Sequence, residues 1–196
     1  MYLTIGHDFP RMNQHYYNDL IIEVFDTPAY SFDSSENTNT YLNVYFGDDG
    51  RELPVSKHGI KVYKANKEIN SCLIIGSGGA TGVQKNSTLL DHDQLLVCCC
   101  NTVFCLTLPD LYLKWQTKAD TATCFQIFKL ENDYVVHGEL EITRIDRDGN
   151  IQWQFSGADI FVSIDGQKEF IISGNYIMLS DFSNHKYKID FQGKQI

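Results

Sequence analysis

From residue 41 to the end of the chain, short runs rich in Val, Ile, Tyr, Phe and Thr alternate with turn formers, as at Gly47–Gly50, Leu108–Asp110, Arg147–Asn150 and Ile164–Gly166. Short β-branched and aromatic runs closed by Gly, Pro, Asn and Asp predict strands joined by tight turns, so this part reads as hairpins and meanders. One stretch is ambiguous. Tyr17, Leu20, Ile21 and Val24 fall at i, i+3, i+4 and i+7, one face of a short helix ending before Pro28, whereas the β-branched Ile21, Ile22 and Val24 favour a strand. Both readings of 14–25 stand at this level. Residues 31–40 are polar and rich in turn formers, which predicts an exposed loop or linker.

The runs repeat. Asn101–Gln116 and Leu140–Gln154 each contain a strand, a turn with Asp, and a second strand ending in Trp-Gln, at Trp115 and Trp153. Apolar runs precede both, at Leu95–Val97 and Tyr134–Val136, and a third copy follows at Phe170–Ile172, Tyr176–Leu179 and Tyr187–Ile189. The unit boundaries repeat too, because Ala80-Thr81, Ala119-Asp120 and Ala158-Asp159 are each 39 residues apart. A further step of 39 back from Ala80 reaches Tyr41, where Tyr41–Gly50, Leu53–Val55, Gly59–Tyr63 and Ser71–Ile75 supply a unit by spacing. A four-stranded meander of about 40 residues that buries its faces against its neighbours is the unit of a propeller. The expected fold is therefore all-β, a propeller-like array of four four-stranded antiparallel meanders over 41–196. Residues 1–40 form an acidic N-terminal segment, with a weaker fifth unit as its alternative.

Val103–Trp115 and Ile142–Trp153 resemble the tryptophan-docking repeat of quinoprotein-type (PQQ-like) β-propellers, in which a strand enters an Asp-containing turn and the next strand closes with Trp. The resemblance covers 80–157 well, 158–196 loosely and 41–79 by spacing. It implies a propeller-like scaffold with Trp115 and Trp153 packed between units and largely buried. This chain departs from the pattern at Pro109-Asp110, which lacks the turn Gly, and in the last unit, where Tyr187 or Ile189 stands in place of Trp. It is also shorter than the seven or eight blades of the quinone-dependent dehydrogenases, so their chemistry is not carried over and no cofactor is expected.

Composition narrows the function. With 196 residues, 43% hydrophobic and 21% charged, the chain is an ordinary globular protein. Lys and Arg number 16 against 25 Asp and Glu, a net charge of −9 that repels a phosphate backbone and argues against a nucleic-acid partner. The start, Met1–Asp8, has neither the basic nor the apolar region of a secretory signal, and no run of about 18 apolar residues occurs. A soluble, cytoplasmic protein with no membrane partner is expected. Cys72, Cys98, Cys99, Cys100, Cys105 and Cys124 are bunched in apolar runs, which fits reduced thiols better than a disulfide framework.

Candidate chemistry is sparse. The Gly-rich loop 76–82, with Gly79 and Thr81, offers backbone N–H groups to an anion but lacks the Lys and the helix of a phosphate loop, and a tight turn between units is the plainer reading. Cys98, Cys99, Cys100 and Cys105 with His92 contain potential zinc ligands, yet the Cys-x-x-Cys spacing is missing, and small buried hydrophobes are expected instead of a metal site. His137 and Glu139, two residues apart, can share a strand face, and with Asp120, Thr121, Thr123, Cys124 and Asp159 they contain a base, an acid and a nucleophile. Residues 1–40 hold six carboxylates, among them Asp19, Glu23 and Asp26, against Arg11 alone. Such a segment either solvates the surface or steers a basic protein partner.

Two function classes follow. The first is a non-enzymatic protein-binding scaffold, for instance an inhibitor or immunity protein for a basic partner, with Asp19, Glu23, Asp26, Gly79, Thr81, Asp120 and Asp159 as binding residues. The second is a small hydrolase using Asp120, His137 and Glu139.

Overall fold

The computed structural model describes residues 12–32, 34–162 and 170–196. Within them the chain is all-β, without a helix, and forms four sheets. The first contains β1 (Met12–Tyr17), β2 (Leu20–Asp26), β3 (Asn43–Phe46), β4 (Ser56–Lys64) and β5 (Lys67–Gly76). The second is β6 (Thr88–Asp91), β7 (Gln94–Cys99), β8 (Thr102–Thr107) and β9 (Leu113–Lys118). The third is β10 (Cys124–Leu130), β11 (Asp133–Gly138), β12 (Glu141–Ile145) and β13 (Ile151–Ser156), and the fourth is β14 (Phe170–Ser173), β15 (Tyr176–Ser180) and β16 (Lys186–Asp190).

The second and third sheets are antiparallel meanders in chain order, as the 39-residue period predicts. The fourth shows three strands among the described residues, and the run expected near 159–166 falls partly outside them. The first sheet differs most from expectation. Residues 14–25 lie in a hairpin turned at Asn18 (φ 54°), with Leu20, Ile22 and Val24 buried on one face. Alternation of inward side chains has won over the helical spacing, because Ile21 and Val24 point to opposite sides of a strand. β2 then pairs with β4 along its whole length, so this sheet draws on both sides of residue 40. The chain leaves β2, crosses by 27–42 and returns as β3, which runs parallel to β5 on the far edge, giving the order β1-β2-β4-β5-β3.

The core lies between successive sheets. Ile60, Cys72, Ile74, Val97 and Phe104 belong to a cluster joining the first to the second. Cys98, Val103, Cys105, Ile127 and Val136 join the second to the third, and Val135, Ile142, Phe161, Ile177 and Ile189 join the third to the fourth. Among the described residues, no hydrophobic cluster connects the fourth sheet back to the first. β7 is buried on both faces, so Leu95, Val97 and Cys99 enter one interface while Leu96 and Cys98 enter the next. Its cysteines alternate as a doubly buried strand dictates.

Trp115 and Trp153 occupy matching places on the edge strands β9 and β13. Both are half-buried rather than largely buried, because an edge strand packs only one face of the indole. Each docks on the next sheet: Trp115 Nε1 donates to the Arg147 carbonyl at 3.0 Å and Trp153 Nε1 to the Phe191 carbonyl at 2.9 Å. At the first interface Tyr45 of β3 takes this place, its hydroxyl donating to the Leu111 carbonyl at 3.0 Å.

Candidate functional site

The residues that mark the 39-residue period open the crossovers between sheets, just after β5, β9 and β13. A crossover leaves backbone N–H groups without sheet partners, and each buried one needs an acceptor. Thr81, Asp120 and Asp159 supply them. Thr81 Oγ1 accepts from the Cys100 N–H at 2.8 Å, at the β7–β8 turn. Asp120 is 1% exposed; its Oδ1 accepts from Ala122 and Thr123 N–H (2.6 and 3.0 Å) and its Oδ2 from Leu140 and Glu141 N–H (2.9 and 2.8 Å) at the β11–β12 turn. Asp159 Oδ1 accepts from Ile160 N–H at 2.8 Å, and its Oδ2 from the Ser183 hydroxyl at 2.5 Å, at the β15–β16 turn. In all three places the side chain ties a crossover to a turn of the sheet that follows. Gly79 belongs to the same architecture: its N–H donates to the Ala122 carbonyl at 2.8 Å, and a Cβ there would fall on Thr123 Oγ1.

Of the hydrolase candidates, Asp120, Thr123 and Glu139 come together. The Thr123 hydroxyl donates to Glu139 Oε2 at 2.7 Å, and burial together with the Asp120 charge raises the pKa of neighbouring Glu141. Glu139 lies beyond the end of β11, so it does not share a strand face with His137. His137 is 1% exposed, its ring stacked on Phe170 with centroids 5.0 Å apart and its Nε2 donating to the Phe161 carbonyl at 3.1 Å. A general base needs a lone pair aimed at substrate. Here Asp120 spends both carboxylate oxygens on the backbone, and His137 sits in the apolar layer between the third and fourth sheets. Beside them a groove of 410 Å³ is lined by Thr121, Glu141, Ser156, Asp159 and Ile160, among others.

The acidic candidates are also engaged. Asp19 pairs with Lys64 at 3.0 Å, which holds its carboxyl below the ordinary range. Glu23 accepts from Gln14 Nε2 at 3.3 Å and faces Lys61 across the β2–β4 pair. Asp26 lies 2.9 Å from His58 Nδ1 and accepts the Val83 N–H at 2.9 Å, a partly buried contact between distant parts of the chain that no spacing in the sequence announces. Among the described residues, no three His, Cys, Asp or Glu side chains converge as a metal site requires.

No family model matches the chain, and no curated protein is similar to it. Solved structures are similar to it. A computationally designed protein, Ika8, aligns with a TM-score of 0.54 at 8% identity over 93% of this chain and 46% of its own. The CNH domain of AfRom2 aligns over 95% of this chain and 66% of its own at 12% identity, with a TM-score of 0.47. The β-propeller domain of Myceliophteria thermophila Cps50 (Swd1) aligns over 71% and 56% at 9% identity, with a TM-score of 0.45. The chain thus spans less than two thirds of the length of each of these. Its own four successive sheets, packed one on the next, make an all-β, propeller-like fold.

Proposed function

We propose that this chain is a non-enzymatic protein-binding scaffold, built on a tryptophan-docking repeat of the quinoprotein type and acting on a basic partner in a reducing compartment such as the cytosol. The observation that carries this reading is the use of Asp120: four backbone N–H groups occupy a carboxylate that a hydrolase would need free. Support for a reducing compartment comes from the six cysteines, all buried free thiols. Support for a basic partner comes from the exposed carboxylates Asp48, Asp49 and Glu52, which add to the negative charge of the N-terminal segment.

The test is affinity capture from native cytosol followed by stopped-flow association with the captured protein at two salt concentrations. A basic partner whose association slows as salt rises supports the reading, since exposed charges are screened beyond about 10 Å at 0.1 M salt. Hydrolysis of an ester or peptide library by the wild type, lost in Glu139→Gln while the fold is retained, would overturn it in favour of the hydrolase.

A further inference from the structure

Cys99 and Cys100 face the same way, against the pattern of the strand they close. Along β7 neighbouring side chains point to opposite faces, so Cys98 enters the cluster between the second and third sheets and Cys99 the cluster between the first and second. Cys100 opens the β7–β8 turn at a φ of 53°, in the left-handed region, and its side chain joins the cluster that holds Cys99. Gly76 leaves room for it, since a Cβ there would stand 2.8 Å from the Cys100 Cβ and 3.0 Å from its Sγ. Two adjacent thiols therefore share one side of the chain.

Their surroundings make the two sulfurs unequal. The Cys99 Sγ lies 3.6 Å from the Ser56 carbonyl, and the Cys100 sulfur accepts from the Cys99 thiol and from the Ser56 hydroxyl and N–H. His58, 1% exposed, lies 2.9 Å from Asp26 through Nδ1 and 3.5 Å from Thr81 Oγ1 through Nε2, and the same Thr81 oxygen accepts the Cys100 N–H at 2.8 Å. The hydrogen bond from Cys99, with Ser56 and the nearby imidazole, holds the Cys100 thiol down to about 6, while burial and the neighbouring Cys100 push Cys99 up. One sulfur is a thiolate at neutral pH and the other stays protonated beside it.

We propose that Cys100 is a peroxide-reactive thiol and Cys99 its resolving partner, the pair closing to a reversible disulfide. In the first step the Cys100 sulfur attacks a hydroperoxide: an S–O bond forms, the O–O bond breaks, and the alkoxide leaves as the alcohol with the proton that the thiol gave up, so that Cys100 becomes a sulfenic acid. In the second the Cys99 sulfur attacks Cys100: the S–S bond forms, the S–O bond breaks, and hydroxide leaves with the Cys99 proton as water. The two sulfurs together lose two electrons and the peroxide gains them. Both thiols are 0% exposed, which restricts the oxidant to a molecule near water in size, such as hydrogen peroxide. Its way in is the local opening of crossover 76–82, which contains four glycines, exposes Gly78 and Ala80, and bonds Cys100 through Thr81. Reversal follows from adjacency. Neighbouring Cα atoms are about 3.8 Å apart, short of the roughly 4.4–6.8 Å that a relaxed disulfide spans, and a strained disulfide is readily reduced.

Peroxide treatment of the folded chain tests this. The wild type is exposed to a small excess of hydrogen peroxide at neutral pH, its remaining thiols are alkylated with iodoacetamide in urea, and the product is reduced and labelled with N-ethylmaleimide. Trypsin releases peptide 86–114 with Cys98, Cys99, Cys100 and Cys105, and its fragment ions assign each label. N-ethylmaleimide is expected on Cys99 and Cys100 together, with iodoacetamide on Cys98 and Cys105, and dithiothreitol is expected to restore all six thiols. Cys100→Ser is expected to slow the loss of thiols about tenfold or more, and Cys99→Ser to stop at a sulfenic acid on Cys100 that dimedone traps. Cys99 and Cys100 left as free thiols in the treated wild type, labels on a different pair, or a folded Cys100→Ser that loses thiols as fast as the wild type would each overturn the proposal. The wild-type labelling decides it by itself where a variant fails to fold.

Discussion

Trp115 lies over Gly149 of the following sheet, so close that a Cβ built on the glycine would stand 2.7 Å from the indole Cδ2. Trp153 repeats the relationship with Gly193, at 2.6 Å. Both glycines have positive φ, 89° and 78°, in turns held by an aspartate. Asp146 Oδ1 accepts from the N–H groups of Asp148 and Asn150, and Asp190 Oδ1 from those of Gln192 and Lys194. The aspartate shapes the turn, the glycine lets the indole approach, and the indole N–H bonds the turn's own carbonyl. Successive sheets are locked together at their outer edge in this way.

Gly149→Ala is expected to destabilise the protein through two costs, about 1–2 kcal/mol for an L-residue at positive φ and about 1–3 kcal/mol for overpacking against Trp115. Gly174→Ala is the control: it shares the positive φ (57°) but has nothing within 4 Å of the new Cβ, so only the first cost applies. Urea midpoints of the two variants compare them directly. Equal losses would mean that the indole contact contributes nothing.

Trp115→Ala and Trp153→Ala are each expected to cost less than the roughly 3–5 kcal/mol of a fully buried aromatic, since both indoles are half-buried. A loss of about 2–3 kcal/mol in each, measured by urea unfolding, is the expected outcome.

Asp120→Ala leaves four backbone N–H groups without their acceptor and is expected to cost at least about 3 kcal/mol. Hydrogen exchange gives the specific readout, because the amides of Ala122, Thr123, Leu140 and Glu141 should lose protection together. Gly138→Ala should produce a milder version, since its Cβ would press on Asp120 Oδ2.

Acid sensitivity is expected to centre on Asp181. Burial pushes its carboxyl up, but the Tyr187 hydroxyl at 2.7 Å, the His185 N–H at 2.8 Å and the His185 imidazole at 3.0 Å outweigh this and leave its pKa below the ordinary value. A carboxylate lowered in the folded state contributes stability above its unfolded value of about 3.9, and that contribution is lost as pH falls through the folded value. Asp181→Asn should therefore flatten the acid limb of a stability-against-pH curve while leaving the fold intact.

The six thiols are expected to be silent toward Ellman's reagent in the folded protein and to titrate as six after unfolding in urea. Burial pushes Cys72, Cys98, Cys105 and Cys124 up, whereas a hydrogen bond from Cys99, supported by Ser56 and His58, holds Cys100 down to about 6. Cys100 should accordingly be the first to react on partial opening, and Cys100→Ser should remove that first phase.

A period of 39 is a local property of a chain, and it was legible in this one. The turn formers between runs and the spacing of Thr81, Asp120 and Asp159 determined where the second, third and fourth units begin, whereas 14–25 stayed open between helix and strand until Leu20, Ile22 and Val24 met the core. Trp115 and Trp153 announced the docking edge for the same reason, because each unit must meet its neighbour at the same place. Tertiary structure alone decided the rest. A strand pattern states which side chains share a face and not which strand lies beside which, so the parallel return of β3, and Tyr45 standing in for a tryptophan, had no signature in the spacing. Nor does a residue type reveal its partner: Asp120 is a base on paper and a backbone acceptor in the fold, because a crossover leaves N–H groups that only a buried carboxylate within reach can satisfy.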